Sequence, residues 1–122
     1  NDLDEETSQR GPLLQRKITN EQLNAIGNFH LAAKNGDLNT IKRYLESGID
    51  INCVRGKASL RVLHRAASAG NKALVTYLID EKANINALSI QGTPLDMALK
   101  REHQEIALLI QKHGGKESEE IK

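Results

Sequence analysis

The side chains best equipped to ligate a metal or attack a substrate are four histidines, His30, His64, His103 and His113, and a single cysteine, Cys53. A zinc site draws three or four convergent ligands at short local spacing, and these five are scattered along the chain instead. Cys53 has no basic neighbour in sequence that could withdraw its proton. His30 and His64 stand 34 residues apart in matching surroundings. That regularity points to a structural duty performed twice, because a catalytic group is needed once. No glycine-rich phosphate cradle occurs, and Gly114-Gly115 follows a helical stretch and does not open one. The chemistry-bearing residues therefore predict no catalysis, no metal and no cofactor.

Composition narrows the classes further. The chain has 122 residues, 39% hydrophobic and 27% charged, with a formal net charge of +1. One cysteine forbids an internal disulfide framework and is compatible with a reducing compartment; a cytoplasmic location is the expectation, with the nucleus or secretion as an effector left open. No apolar run approaches ~18 residues, so no membrane span is expected. A near-neutral balance argues against nucleic acid as the partner, since such binders carry a basic excess. With one Phe, two Tyr and no Trp, the core must be aliphatic. One domain of this length buries enough surface to fold without staples. The chain starts at Asn1 and its one Met is Met97, which suggests a processed product or a piece of something longer.

The elements that hold these residues recur. Phe29-His30-Leu31-Ala32-Ala33-Lys34-Asn35-Gly36 returns as Leu63-His64-Arg65-Ala66-Ala67-Ser68-Ala69-Gly70, and more weakly as Leu95-Asp96-Met97-Ala98-Leu99-Lys100. Each of the first two copies is followed by a second motif, Tyr44-Leu45-Glu46-Ser47-Gly48-Ile49-Asp50-Ile51-Asn52 and then Leu78-Ile79-Asp80-Glu81-Lys82-Ala83-Asn84-Ile85-Asn86. Two segments recurring in fixed order at one period define a repeat.

Each unit reads as two short helices. Leu63, Ala66, Ala67 and Gly70 fall at helical spacing, and the paired alanines let a neighbouring helix approach closely. Gly70 supplies the left-handed residue at which that helix stops. Leu74, Val75, Leu78 and Ile79 make one apolar face of the second helix. Unit one repeats this with Ile41, Tyr44 and Leu45 behind an Asp37 cap, and unit three with Ile106, Ala107 and Ile110. After Asn52 and Asn86 the periodicity lapses into extended turns. Thr93-Pro94 closes the second of these, Thr as a cap and Pro at the first helical position.

These residues resemble the ankyrin repeat. The family pattern is met by Gly92-Thr93-Pro94-Leu95, by Leu63-His64-Arg65-Ala66-Ala67 and by Ala83-Asn84-Ile85-Asn86-Ala87, over residues 28–115. The resemblance implies an all-α solenoid of about three helix-turn-helix units, stacked right-handed, with β-hairpin-like loops on one side. It also implies that His30 and His64 hydrogen-bond nearby backbone, and that Cys53, in an Ala slot, is a small buried thiol. His103 falls in a Gly-His slot at a helix start, and His113 lies near a helix end. The departures are local. Arg61-Val62 occupies the Thr-Pro slot, and the connection from Asn52 to Leu63 is two residues longer than that from Asn86 to Leu95. Lys82 and Glu102 stand where glycine ends a helix. Gln111 puts a polar group on the last outer helix, as an end cap requires.

Outside the repeats, residues 1–17 read as a flexible polar arm and residues 116–122 as a charged tail, with the repeat domain spanning 18–115 in units of about 18–53, 54–87 and 88–115. Thr19 and Gln22 suit a reciprocal cap, with Ile18 and Leu23 as a staple. Leu23, Ile26, His30 and Ala33 continue one face through Gly27, so an elongated first helix should cap the stack.

What remains to do work is a surface. The resemblance implies that protein partners bind the ends of the inner helices, here Lys34, Asn35, Ser68, Ala69, Lys100 and Arg101, and the hairpins, here Val54, Arg55, Lys57, Leu60, Leu88, Ser89 and Ile90. Leu88 and Ile90 are apolar in a turn, and packing onto the neighbouring hairpin is the competing account of them. Residues 1–27 carry −2, residues 116–122 carry −1, and the repeats hold +4. The expected function is non-catalytic recognition, by a monomer, of an acidic or mixed-charge protein partner. Two rivals stay open: a targeting or regulatory domain of a larger enzyme or effector, and a self-assembling structural protein.

Overall fold

The computed structural model describes residues 19–121. The arm expected over residues 1–17 and the Ile18 staple lie outside the described residues. Helix α1 (Asn20–Asn35) begins at a reciprocal cap: Gln22 N–H donates to Thr19 Oγ1 at 3.1 Å, and Thr19 N–H to Gln22 Oε1 at 2.8 Å. It runs unbroken through Gly27 and stops at Gly36, whose φ of 74° is left-handed. This is the elongated first helix expected from the face Leu23, Ile26, His30 and Ala33.

The remaining helices follow the repeat. In order they are α2 (Leu38–Glu46), α3 (Val62–Ala69), α4 (Lys72–Asp80), α5 (Pro94–Lys100), α6 (Gln104–Lys112) and a single turn, α7 (Ser118–Ile121). Asp37, Asn71 and Thr93 each cap a helix by accepting a backbone N–H. The inner helices α1, α3 and α5 pack side by side, the outer helices α2, α4 and α6 each lie on their own inner helix, and α4 also touches α6. The architecture is the all-α stack of three helical hairpins.

The alanine pairs explain the close packing. Ala33, Ala66, Ala67 and Ala98 have no solvent exposure and lie on the inner helices that pack side by side. Leu63, Leu74, Leu78, Leu95 and Ile110 fill the space between inner and outer layers. Phe29 is fully buried and meets Tyr44 edge to face, ring centres 6.2 Å apart. Consecutive units are also stitched by polar bonds. Asn71 Nδ2 donates to Gly36 O at 3.4 Å, and His103 Nε2 to Ser68 O at 3.1 Å.

Two loops turn back as tight hairpins, without regular strands among the described residues. Arg55 pairs with Leu60, and Ser89 with Gly92, so the first loop has two more residues at its tip. That is the length difference read from the sequence. Ile90 N–H donates to Ala58 O at 2.9 Å, joining the second hairpin to the first. Lys82 (φ 70°) and Glu102 (φ 61°) take the left-handed conformation in the glycine slots they replace.

Residues 116–121 do more than carry charge. Lys116 N–H donates to Asn86 Oδ1 at 2.7 Å, Thr93 Oγ1 donates to Lys116 O at 2.7 Å, and Ser118 N–H reaches Asp96 Oδ2 at 3.0 Å.

Candidate protein-binding surface

The inner helices and hairpins line two adjoining hollows that together make a groove. They are of about 530 and 370 Å³, and both are lined by Lys34 and Arg65. The smaller brings together Lys34, Leu60, Ser68, Ala69 and Arg101, five of the residues expected on the binding face. The larger adds Arg55 beside α1. Among the described residues, neither is lined by Asp or Glu.

The other expected residues lie around the groove or are occupied. Asn35, Val54 and Lys57 are exposed but do not line either hollow. Lys100 Nζ donates to Gln91 O at 2.8 Å, bracing the second hairpin. Ser89 Oγ donates to Gly92 O at 2.8 Å and accepts from Gln91 N–H, so its hydroxyl is spent inside its own turn. Leu60 is half-buried and packs on the core, forming floor more than contact. Leu88 and Ile90 are 52% and 79% exposed. Only the backbone of Ile90 engages the neighbouring hairpin; its side chain projects outward.

Sequence reasoning missed Arg65. It occupies the variable position after His64 on α3, upstream of the helix end, where partner contacts were expected. The signal was nevertheless present in the differing contexts of the two repeated histidines. In unit two His64 sits at the third position of α3, and its Nδ1 accepts the N–H of Arg61 at 3.0 Å. Its Nε2–H donates to Ala87 O at 2.9 Å and Gly92 O at 3.1 Å. In unit one the helix continues upstream of His30, so no N-terminal N–H is left over for Nδ1. Arg65 Nε–H fills the vacancy at 2.6 Å, while His30 Nε2–H donates to Cys53 O at 3.0 Å.

These contacts fix the electrostatics. Burial first, then the Arg65 charge, hold His30 down to about 4, so it is neutral at pH 7. Burial likewise lowers His64. Both rings are 2% exposed or less. Cys53 is half-buried, more open than the buried thiol expected, and burial followed by Asp50 raises its pKa. Its Sγ lies 3.7 Å from His30 Nε2, but that nitrogen already donates to the Cys53 carbonyl. It is no base for the thiol. In unit three Asp96 stands in the histidine position and accepts from Thr93 N–H at 3.0 Å, and its pKa is lowered by the hydrogen bonds from Thr93 and Ser118 against the opposing effect of burial. Pro94 is buried at the first position of α5, beside a Thr93 with no exposure. Among the described residues no group of three or more His, Cys, Asp or Glu could hold a metal ion, and no helix is long and apolar enough to cross a membrane.

A family model described as ankyrin repeats (3 copies) matches residues 29–120. The chain belongs to the ankyrin-repeat family. Ankyrin repeats are protein-interaction modules and are generally non-catalytic. Curated relatives include serine/threonine-protein kinase 12 of Arabidopsis thaliana, 34% identical over 69% of this chain and 18% of the kinase. The SMC5-SMC6 complex localization factor protein 1 of Bos taurus is 34% identical over 85% of this chain and 10% of its own length. The ARF GTPase-activating protein Git of Drosophila melanogaster is 33% identical over 65% of this chain and 11% of its own. The chain thus spans less than a fifth of the length of these relatives. The matched region extends past residue 115 into the segment that docks on Thr93 and Asn86.

Proposed function

We propose that this ankyrin-repeat chain is a non-catalytic module that receives an acidic or mixed-charge segment of a protein partner in its concave groove, as a monomer and in the cytoplasm. The observation that carries the reading is the lining of the groove. Lys34, Arg55, Arg65 and Arg101 line it, and among the described residues no carboxylate does. The one ion pair among the described residues, Lys72–Glu105 at 3.9 Å, is elsewhere. A one-sign cleft steers oppositely charged partners and raises their association rate more than their residence time.

The test is capture of partners by the chain beside its Lys100→Glu/Arg101→Glu variant. Loss of capture supports the groove; equal capture moves recognition to the outward side chains of Val54, Leu88 and Ile90. The association rate of a captured partner should fall by about tenfold between low and physiological salt. A salt-independent rate would remove the electrostatic part of the reading.

A second reading makes the chain a targeting or regulatory domain of a larger protein. It is favoured by the relatives, in which the matching region is a small fraction of a kinase, a complex localization factor or a GTPase-activating protein. The groove would serve the same recognition there.

A further inference from the structure

We propose that Arg55 and Arg65 clamp one side-chain carboxylate of an acidic peptide at the α1 end of the groove, with Leu31 seating an aliphatic neighbour of that carboxylate. The proposal rests on the groove reading and names the chemistry its larger hollow accepts.

The first observation is Gly27. It lies inside α1, where glycine destabilises a helix relative to alanine. No turn or helix end calls for it there. A Cβ at this position would lie 3.2 Å from Arg55 Cζ and 3.4 Å from one of its terminal nitrogens. The missing side chain is the seat of the Arg55 guanidinium, which rests on the helix surface across the groove from its own hairpin.

The second observation is the setting of Arg65. Its Nε–H is held by His30 Nδ1, and an Nη2–H donates to Arg55 O at 3.0 Å. Among the described residues these are its only acceptors, which leaves three of the five guanidinium N–H groups for another one. Because His30 is buried and neutral, the head group is fixed before any ligand arrives, which lowers the entropy cost of binding. Burial, and then the Arg55 charge, make protonation of Arg65 less favourable than usual. An anion between the two guanidinium groups relieves that strain.

The third is the company they keep. Arg55, Arg65 and Lys34 line the hollow together with Leu23 and Leu31, which are 46% and 53% exposed. Leu23, Gly27 and Leu31 recur every four residues along α1, so apolar surface flanks the cations on both sides. A carboxylate fits better than a phosphate. Guanidinium forks pair with either group, but a phosphate cradle adds free backbone N–H donors, and those of this stretch of α1 are spent within the helix.

The experiment is fluorescence anisotropy on the full chain with a labelled hexapeptide alternating leucine and glutamate, beside its leucine–glutamine counterpart. The glutamate peptide should bind at least about tenfold tighter, and Arg55→Gln should weaken it by about fivefold. Gly27→Gln keeps every charge and improves the helix, yet its side chain occupies the guanidinium seat. It should weaken the peptide by a similar factor while the melting temperature rises. Arg101→Gln, in the other hollow, should change it less than about twofold. Unaltered binding in Arg55→Gln or Gly27→Gln overturns the clamp. Weakening by Arg101→Gln alone does so while leaving the groove reading in place. Equal binding of the two peptides, or none, also ends the clamp, and partner capture by the Lys100→Glu/Arg101→Glu variant then decides the groove separately. A phosphoserine peptide binding more than about tenfold tighter than the glutamate one would overturn the choice of a carboxylate.

Discussion

Arg65 Nε lies 2.6 Å from His30 Nδ1, a contact between residues one repeat apart that exists because the first helix is longer than its counterparts. Replacing Arg65 by Met keeps the aliphatic stem and removes the donor. The imidazole nitrogen is then left buried without a partner, at a cost of about 1–3 kcal/mol. Urea denaturation should show that loss, and the His30 pKa followed by NMR should rise as the nearby charge disappears. A variant as stable as the parent would mean that this bond contributes nothing.

The same histidine predicts acid sensitivity. Its folded-state pKa of about 4 lies below the ordinary 6.5, so between these values the unfolded chain binds the proton and the folded chain does not. Stability linked to His30 is therefore complete above pH 6.5 and is lost as the pH falls toward 4, by about 3 kcal/mol at most. His64, shifted the same way, adds to it. The melting temperature should fall steadily across this window, and His30→Gln should flatten the slope. A profile level from pH 7 to 4.5 would contradict the burial of these rings.

Much of this was legible in the sequence for a physical reason. Alanine pairs, helix-stopping glycines and the Thr93-Pro94 start are local signals, and repetition at one period multiplied them. The left-handed Lys82 and Glu102 were readable because their neighbours held register while the glycine was absent. Arg65 was not readable in the same way: its partner His30 is 35 positions away, and only a histidine lacking its usual N–H donor pointed to it. The attachment of residues 116–121 was hidden likewise, because a charged composition says nothing about backbone bonds to Asn86 and Thr93.

Lys82 and Glu102 hold φ values of 70° and 61°, a region that costs a side-chain-bearing residue roughly 1–2 kcal/mol. Glycine there gives back part of this gain through its freedom in the unfolded chain. Lys82→Gly and Glu102→Gly should each stabilise by about 0.5–1 kcal/mol, and together raise the melting temperature by about 4–8 °C. The sites belong to different units, so the two gains should add. A decrease in either would show that the lysine or glutamate side chain makes a contact worth more than the strain.

Thr93 has no solvent exposure and joins two structures at once: its Oγ1 accepts from Asp96 N–H at 3.2 Å and donates to Lys116 O at 2.7 Å. Thr93→Val preserves the shape and deletes both bonds, so it separates packing from hydrogen bonding. The lost cap alone costs about 1 kcal/mol, and the stranded Lys116 carbonyl adds to it. Because Asp96 Oδ2 also receives Ser118 N–H, freeing the start of α5 loosens the last turn as well. Amide exchange at Ser118 should accelerate by about tenfold or more, while amides of α1 keep their protection, since local opening reports the nearest contacts. Equal acceleration throughout would make the C-terminal segment a part of the global unfolding unit, with Thr93 a stabiliser of the whole stack.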